Sequence, residues 1–102
     1  MLIHVESENQ LNELIKGDRV LVDFFAIWCG PCMRLTPTIE KLADEYPEIT
    51  FLKVDVDQLP RLAASFNVSS IPLLIYLEKG NKVREQLGWV PEPMLKKLVG
   101  IE

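Results

Sequence analysis

Residues 20–25 read Val-Leu-Val-Asp-Phe-Phe, so five of these six positions are apolar. A strand with one solvated face alternates apolar and polar side chains, whereas a nearly continuous apolar run is typical of a strand covered on both faces. Such a strand needs other elements, usually helices, packed on both sides of its sheet. The run therefore predicts the central strand of a layered α/β fold.

Strand and helix signals alternate along the rest of the chain. Ser7 followed three residues later by Gln10 is typical of a helix start, and Pro47 ends the helical apolar pattern that follows the cysteines. The resulting order, β-α-β-α-β-α-β-β-α, predicts a mixed sheet with helices on both faces, parallel where helices cross over and antiparallel at the last hairpin. Strands are expected at 3–5, 20–25, 50–54, 73–77 and 83–87, and later helices at 59–66 and 91–99.

Length and composition limit the organisation and the partners of the chain. Its 102 residues, 48% hydrophobic and 25% charged, suit a single domain over residues 1–102 with its own core. The net charge is −4 without any basic stripe, so a nucleic-acid partner is not expected. The longest apolar runs are of strand length, so no membrane span is expected. Residues 1–6 lack a basic leader and an apolar signal core, which favours the cytoplasm provided that no precursor was trimmed.

Two cysteines, Cys29 and Cys32, are the only ones in the chain. A disulfide that closes so short a loop removes little entropy from the unfolded state, so a stabilising purpose is disfavoured. In a reducing compartment such a pair is reactive or binds a metal. Zinc prefers four ligands and the single histidine, His4, is remote, which leaves a zinc site only through ligands shared between chains. We therefore expect a reactive pair and no metal.

The cysteine pair falls where the central strand gives way to a helix. Residues three apart on a first helical turn lie about 5–6 Å apart, a separation that a disulfide accepts. The helix N-terminus should lower the pKa of Cys29 and make it a nucleophile, while Cys32 should be less accessible. We expect Cys29 to attack a substrate disulfide and Cys32 to resolve the mixed disulfide. Gly30 should allow a tight turn and room for a partner, and Pro31 presets a helical φ.

Asp23 is the single acid in the apolar run of the central strand. Burial should raise the pKa of its carboxyl, partly offset by Lys53 if the next strand lies beside it. One hypothesis is that Asp23 carries the proton that Cys32 must lose before it attacks. The structural alternative is an Asp23–Lys53 ion pair without any catalytic part.

Ile71-Pro72 stands immediately before a predicted strand. Proline is normally confined to the first position or the edge of a strand, and such a bond is a candidate for the cis form. A cis bond would leave the Ile71 backbone free to pair with an extended peptide. Composition alone favours trans.

The segment Val-Leu-Val-Asp-Phe-Phe-Ala-Ile-Trp-Cys-Gly-Pro-Cys at 20–32 resembles the active-site segment of the thioredoxin family. Pro37, residues 53–57, Ile71-Pro72 and Gly80 fit the same family, so the resemblance extends over nearly the whole chain. It implies the thioredoxin fold, a three-layer α/β/α arrangement with a central mixed five-stranded sheet and four helices.

The resemblance also implies an activity, the reduction of protein disulfides as a cytoplasmic monomer that is recharged by a thioredoxin reductase. Its roles would be electron transport and cell redox homeostasis, with the redox-active disulfide Cys29–Cys32 as the reacting group and no bound cofactor. Asp23 would be the proton carrier, supported by Lys53, and Pro72 would be cis, against the compositional preference. The implied substrate groove consists of Trp28, Gly30, Pro31, Ile71, Pro72 and Gly88, with Trp89 beside it.

Four residues depart from the family pattern. Phe25 stands where tryptophan is common, Leu73 where threonine is usual, and Trp89 where a small residue is typical. Met33 stands directly after the second cysteine, and the basic residue is displaced to Arg34. These departures bear on the choice of partner more than on the reaction.

Two other functions stay open at this stage. One is an oxidant or isomerase of the same fold, which Gly30-Pro31 disfavours because oxidants often place a histidine between the cysteines. The other is a non-catalytic subunit or holdase that binds partners through the apolar groove. A disulfide reductase is the leading prediction.

Overall fold

The computed structural model describes residues 1–101. Five strands and four helices form within this range, in the order that the sequence predicts. The ends of these elements differ from the expected ones by one or two residues. In chain order they are β1 (Leu2–His4), α1 (Glu8–Leu14), β2 (Val20–Phe25), α2 (Gly30–Glu45), β3 (Thr50–Asp55), α3 (Pro60–Ser65), β4 (Leu73–Glu78), β5 (Asn81–Leu87) and α4 (Glu92–Leu98).

The five strands form one sheet in the order β1-β3-β2-β4-β5, so β2 is the central strand. All six of its residues are buried, as its apolar sequence predicts. Helices α2 and α4 pack on one face of the sheet, and α1 and α3 pack on the other. The three-layer fold with a mixed sheet is therefore confirmed.

The direction of β4 differs from the sequence prediction. A strand that follows a helix was expected to be parallel to its neighbour, yet β4 runs antiparallel to β2. The reason lies in α3, whose six residues advance the chain by only about 9 Å, whereas six residues of β3 span about 20 Å. The chain therefore enters β4 at the end of the sheet where β2 and β3 finish. As a result, Leu73 at the start of β4 pairs with Phe24 near the end of β2.

Four residues separate the end of β2 from the start of the longest helix, α2. Its buried residues recur at helical spacing, so one face of the helix packs on the sheet and carries Cys32 inward. The buried residues of α2 are Cys32, Leu35, Ile39, Leu42 and Ala43.

Within residues 1–101, no helix is long and apolar enough to cross a membrane.

Candidate active site

Cys29 is the N-cap residue of α2, with an extended backbone before the first helical turn. Its Sγ accepts a hydrogen bond from the backbone N–H of Cys32 at 3.2 Å. The first amides of a helix have no partner within the helix and carry partial positive charge, so they favour negative charge on an atom placed there. The predicted position of Cys29 at a helix N-terminus is confirmed.

The two cysteines form a disulfide within the first turn of α2, and their Cα atoms lie 5.3 Å apart. Cys29 keeps 6% of its surface exposed, whereas Cys32 has none exposed. Solvent and partners therefore reach the sulfur of Cys29 first. The predicted difference in accessibility between the two thiols is confirmed.

Gly30 and Pro31 are the first two residues of α2. Gly30 is helical and is not among the glycines with positive φ, so its backbone adopts no conformation that only glycine favours. A Cβ added at Gly30 would meet only the guanidinium of Arg34, at 3.9 Å, so the space beside this residue is open. Pro31 occupies the first turn, where its missing N–H breaks no helical hydrogen bond.

Ile71 lies beside the cysteine pair, and it is followed in the chain by Pro72, to which Gly88 is hydrogen-bonded. The Ile71–Pro72 bond is cis, so the compositional preference for trans is wrong and the form implied by the family resemblance is confirmed. The Ile71 carbonyl oxygen lies 4.0 Å from Cys29 Sγ. The N–H of Gly88 donates to the Pro72 carbonyl at 2.8 Å, and Gly88 has a φ of 89°, which glycine adopts without strain. The end of the β4–β5 pair thus forms a wall next to Cys29.

Two tryptophans are exposed near this wall, Trp28 by 70% and Trp89 by 46%. The indole N–H of Trp28 donates to Asp57 Oδ2 at 2.7 Å, which fixes one edge of the ring. Sequence reasoning missed Asp57, whose only signal is its position two residues after β3. Large exposed aromatic rings are typical of protein contact surfaces.

Asp23 and Lys53 are direct neighbours in the pairing of β2 with β3, as expected. Because side chains alternate along a strand, both point to the face that α2 covers, together with Leu21 and Phe51. They are almost completely buried, and Lys53 Nζ lies 3.8 Å from Asp23 Oδ2. That distance is an ion-pair contact but exceeds a hydrogen bond. Within residues 1–101, neither carboxylate oxygen of Asp23 has a hydrogen-bond partner.

Burial dominates the electrostatics of Asp23. It raises the pKa of this carboxyl from 3.8 to about 6, against the positive charge of Lys53, which lowers it. A buried charge without hydrogen bonds is costly, so the protonated form is favoured. The direction predicted from the sequence is confirmed.

The ammonium of Lys53 has closer partners than Asp23. It donates to Thr36 Oγ1 at 2.9 Å and lies 4.3 Å from the centre of the Phe25 ring. Phe25 thus supplies a ring face to the cation although it replaces the commoner tryptophan. Sequence reasoning missed Thr36, and the available signal was its position four residues after Cys32, on the same face of α2.

The redox group is the cysteine pair itself, so the chemistry needs no added cofactor. In the described part of the chain, residues 1–101, no cluster of three or more His, Cys, Asp or Glu residues could hold a metal ion. A dithiol that closes into a disulfide releases two electrons and two protons, which is the chemistry of thiol–disulfide exchange.

Comparisons with known proteins agree with this site. The sequence model described as Thioredoxin matches residues 2–100. The thioredoxin of Chlamydia trachomatis serovar D is 45% identical over 98 residues, which cover 96% of each chain. A mutant thioredoxin from Halobacterium salinarum NRC-1 superposes with a TM-score of 0.90 at 35% identity, over 96% of this chain and 87% of that one. Plasmodium falciparum thioredoxin gives 0.87 at 35% identity, over 94% of each chain.

The match therefore extends over the whole fold and includes the cysteine pair at the start of α2. Both the fold and the pair that closes into a disulfide are those of a thiol–disulfide oxidoreductase that reduces protein disulfides. The chain belongs to the thioredoxin family.

Proposed function

We propose that the chain reduces disulfides by a two-step exchange in which Cys29 is the nucleophile and Cys32 the resolving thiol. In the first step the Cys29 thiolate attacks a substrate disulfide, forms a mixed disulfide and releases one substrate thiolate. In the second step the Cys32 thiolate attacks Cys29 Sγ, the mixed disulfide breaks, and the second substrate thiolate leaves. The products are the Cys29–Cys32 disulfide and a substrate dithiol, so two electrons pass to the substrate.

The unequal surroundings of the two sulfurs support this order, in which Cys29 attacks first and Cys32 second. Cys29 is the more exposed of the two, and its Sγ accepts a hydrogen bond from the amide N–H of Cys32 at the helix N-terminus. That amide stabilises a thiolate at Cys29. Cys32 has no exposed surface, so it meets only a sulfur that is already attached to the protein.

Asp23 is proposed as the group that takes the proton from Cys32 before the second step. Its carboxyl is buried on the face that α2 covers, and its pKa of about 6 allows it to bind and release a proton near neutral pH. The structural alternative, a simple Asp23–Lys53 bridge, is less well supported because the two side chains share no hydrogen bond. Lys53 is then a supporting residue that keeps the carboxyl from becoming a much weaker acid.

The proposed docking groove for substrates lies around Cys29. It combines the exposed Trp28 and Trp89 rings with the open space beside Gly30 and with the wall at the end of β4 and β5. An extended peptide that carries a disulfide could lie along this wall in the manner of strand addition. The proposed groove residues are Trp28, Gly30, Pro31, Ile71, Pro72, Gly88 and Trp89.

Replacing Trp89 by alanine should raise KM for a protein disulfide about fivefold, because a buried aromatic contact is worth about 1 kcal/mol or more in an interface. The KM for a small aromatic disulfide, which does not reach Trp89, should stay the same. Val83→Ala, which removes an exposed apolar side chain elsewhere on β5, is the matched control. Equal loss with both substrates would remove Trp89 from the docking groove.

We further propose that the chain functions as one domain, residues 1–102, and as a monomer in the cytoplasm. A single sheet joins the described elements into one body, which supports the single domain. A reactive dithiol needs a reducing compartment to persist, which supports the cytoplasm. A thioredoxin reductase would return the disulfide to the dithiol, giving the chain a place in electron transport and cell redox homeostasis.

The test of the proposed direction is equilibration of the Cys29–Cys32 pair in graded glutathione buffers, read by mass after alkylation. A reductase should stay oxidised until the buffer is more reducing than the glutathione pool of the cytosol. A pair that is already reduced at a much more oxidising poise would instead indicate the oxidant or isomerase.

A further inference from the structure

Thr36 joins two parts of the site that are far apart in sequence. It lies on α2, one turn after Cys32, and its hydroxyl accepts a hydrogen bond from Lys53 Nζ at 2.9 Å. The same hydroxyl lies 3.5 Å from the Cys32 carbonyl oxygen, to which it donates. That donation leaves its lone pairs free for the ammonium. Thr36 therefore ties the cysteine helix to the lysine of β3.

Three groups of different chemical kinds surround the Lys53 ammonium. Thr36 is a neutral hydrogen-bond acceptor at 2.9 Å, Phe25 presents a ring face at 4.3 Å, and the Asp23 carboxylate lies at 3.8 Å. A carboxylate is the stronger acceptor, yet the ammonium binds the hydroxyl. The ammonium is thus held beyond hydrogen-bonding distance of the acid that it faces.

Lys53 is the charged group that acts on Asp23 in the described part of the chain. The neighbour of Asp23 on β4 is Leu74, and α2 contributes the uncharged Thr36 and the disulfide-bonded Cys32. On the far side of Lys53, β1 places His4, which faces the same cleft as Asp55 at the end of β3. Any change in the proton affinity of Asp23 through this network must therefore pass through the position of Lys53.

We propose that Thr36 is a positioning residue, whose hydroxyl holds the Lys53 ammonium beyond hydrogen-bonding distance of Asp23 and leaves the Asp23 carboxyl able to bind a proton. Without the hydroxyl, the buried ammonium loses its hydrogen-bond acceptor, while the carboxylate oxygen Oδ2 of Asp23 stays 3.8 Å away. A movement of about 1 Å would turn the present contact into a charge-assisted hydrogen bond. That bond would stabilise the carboxylate and weaken its hold on a proton.

The test is a pH titration of the Asp23 carboxyl by carbon NMR in the oxidised, full-length protein. Thr36→Val removes the hydroxyl and keeps the shape, and it should lower the pKa of Asp23 by about 1. Thr36→Ser keeps the hydroxyl and should leave the pKa as in the parent protein. In a Lys53→Met background the effect of Thr36→Val should disappear, because no ammonium is left to move.

An unchanged or raised pKa of Asp23 in Thr36→Val, or an equal fall in Thr36→Ser, would overturn the positioning role. If valine disturbs folding, Thr36→Ala removes the same hydroxyl without a new methyl group and must show the same fall.

The consequence for exchange rests on the proposed role of Asp23, whereas the titration does not. If Asp23 accepts the proton of Cys32, the pH at which Cys32 begins to attack the mixed disulfide should fall together with the pKa of Asp23. A lowered pKa with an unmoved rate profile would confirm the positioning by Thr36 and remove Asp23 from the reaction.

Discussion

Replacement of Cys32 by serine should convert the protein from a catalyst into a trap that keeps its substrates as mixed disulfides. A serine hydroxyl cannot attack the Cys29–substrate bond, so the reaction should stop after the first step. Multiple-turnover reduction should fall to the level of the reaction without protein. Mass spectrometry under non-reducing conditions should find one substrate attached to each chain, through Cys29.

The matched control is Cys29→Ser, which should lose activity without forming adducts, because the remaining thiol is fully buried. Adducts that form through Cys32 in that variant would reverse the two proposed roles. A double serine variant that keeps its function in the cell although it no longer reduces disulfides would favour the non-catalytic alternative, a subunit that binds partners through the apolar groove without turnover.

Asp23→Asn should stabilise the oxidised protein at neutral pH by up to about 3 kcal/mol. The carboxyl has a pKa of about 6 in the folded protein and an ordinary pKa of 3.8, so folding takes up a proton at pH values between 3.8 and 6. Below pH 3.8 the acid is neutral in both states and its stabilising contribution is complete; the contribution is lost as pH rises through 6. Asparagine stays neutral throughout, so the variant should lack this loss.

Urea unfolding at a series of pH values from 4 to 8 measures this effect. Asp44→Asn changes an exposed acid of α2 and is the control that should keep the parent pH dependence. A parent protein whose stability does not decline between pH 4 and 7, relative to Asp23→Asn, would contradict the raised pKa.

The same Asp23→Asn variant should slow the breakdown of the mixed disulfide at least about tenfold near neutral pH, because Cys32 loses its proton acceptor. The rate is measured in a single turnover, from the mixed disulfide of Cys29 with a small aromatic thiol. The first step, attack by Cys29, should keep its rate. Unchanged breakdown would leave Asp23 with only a structural role.

Sequence and structure agree most closely for features that depend on neighbours along the chain. The apolar run at 20–25 can be satisfied only by a strand buried on both faces, because its side chains alternate between the two faces of the sheet. The spacing of Cys29 and Cys32 on a helical turn brings their Cα atoms within disulfide distance whatever the rest of the chain does. Burial of Asp23, and hence the direction of its pKa shift, follows from the same run.

The sequence by itself thus determined the layered fold, the reactive pair and the buried acid, since each depends on local spacing and on burial. Only the tertiary structure decided the direction of β4, which brings Ile71 to Cys29 across 42 positions of the chain. It also decided the bond between Lys53 and Thr36, 17 positions apart. Such contacts depend on how separate elements pack, and a difference of less than 1 Å between the acceptors of Lys53 separates a hydrogen bond from an ion-pair contact.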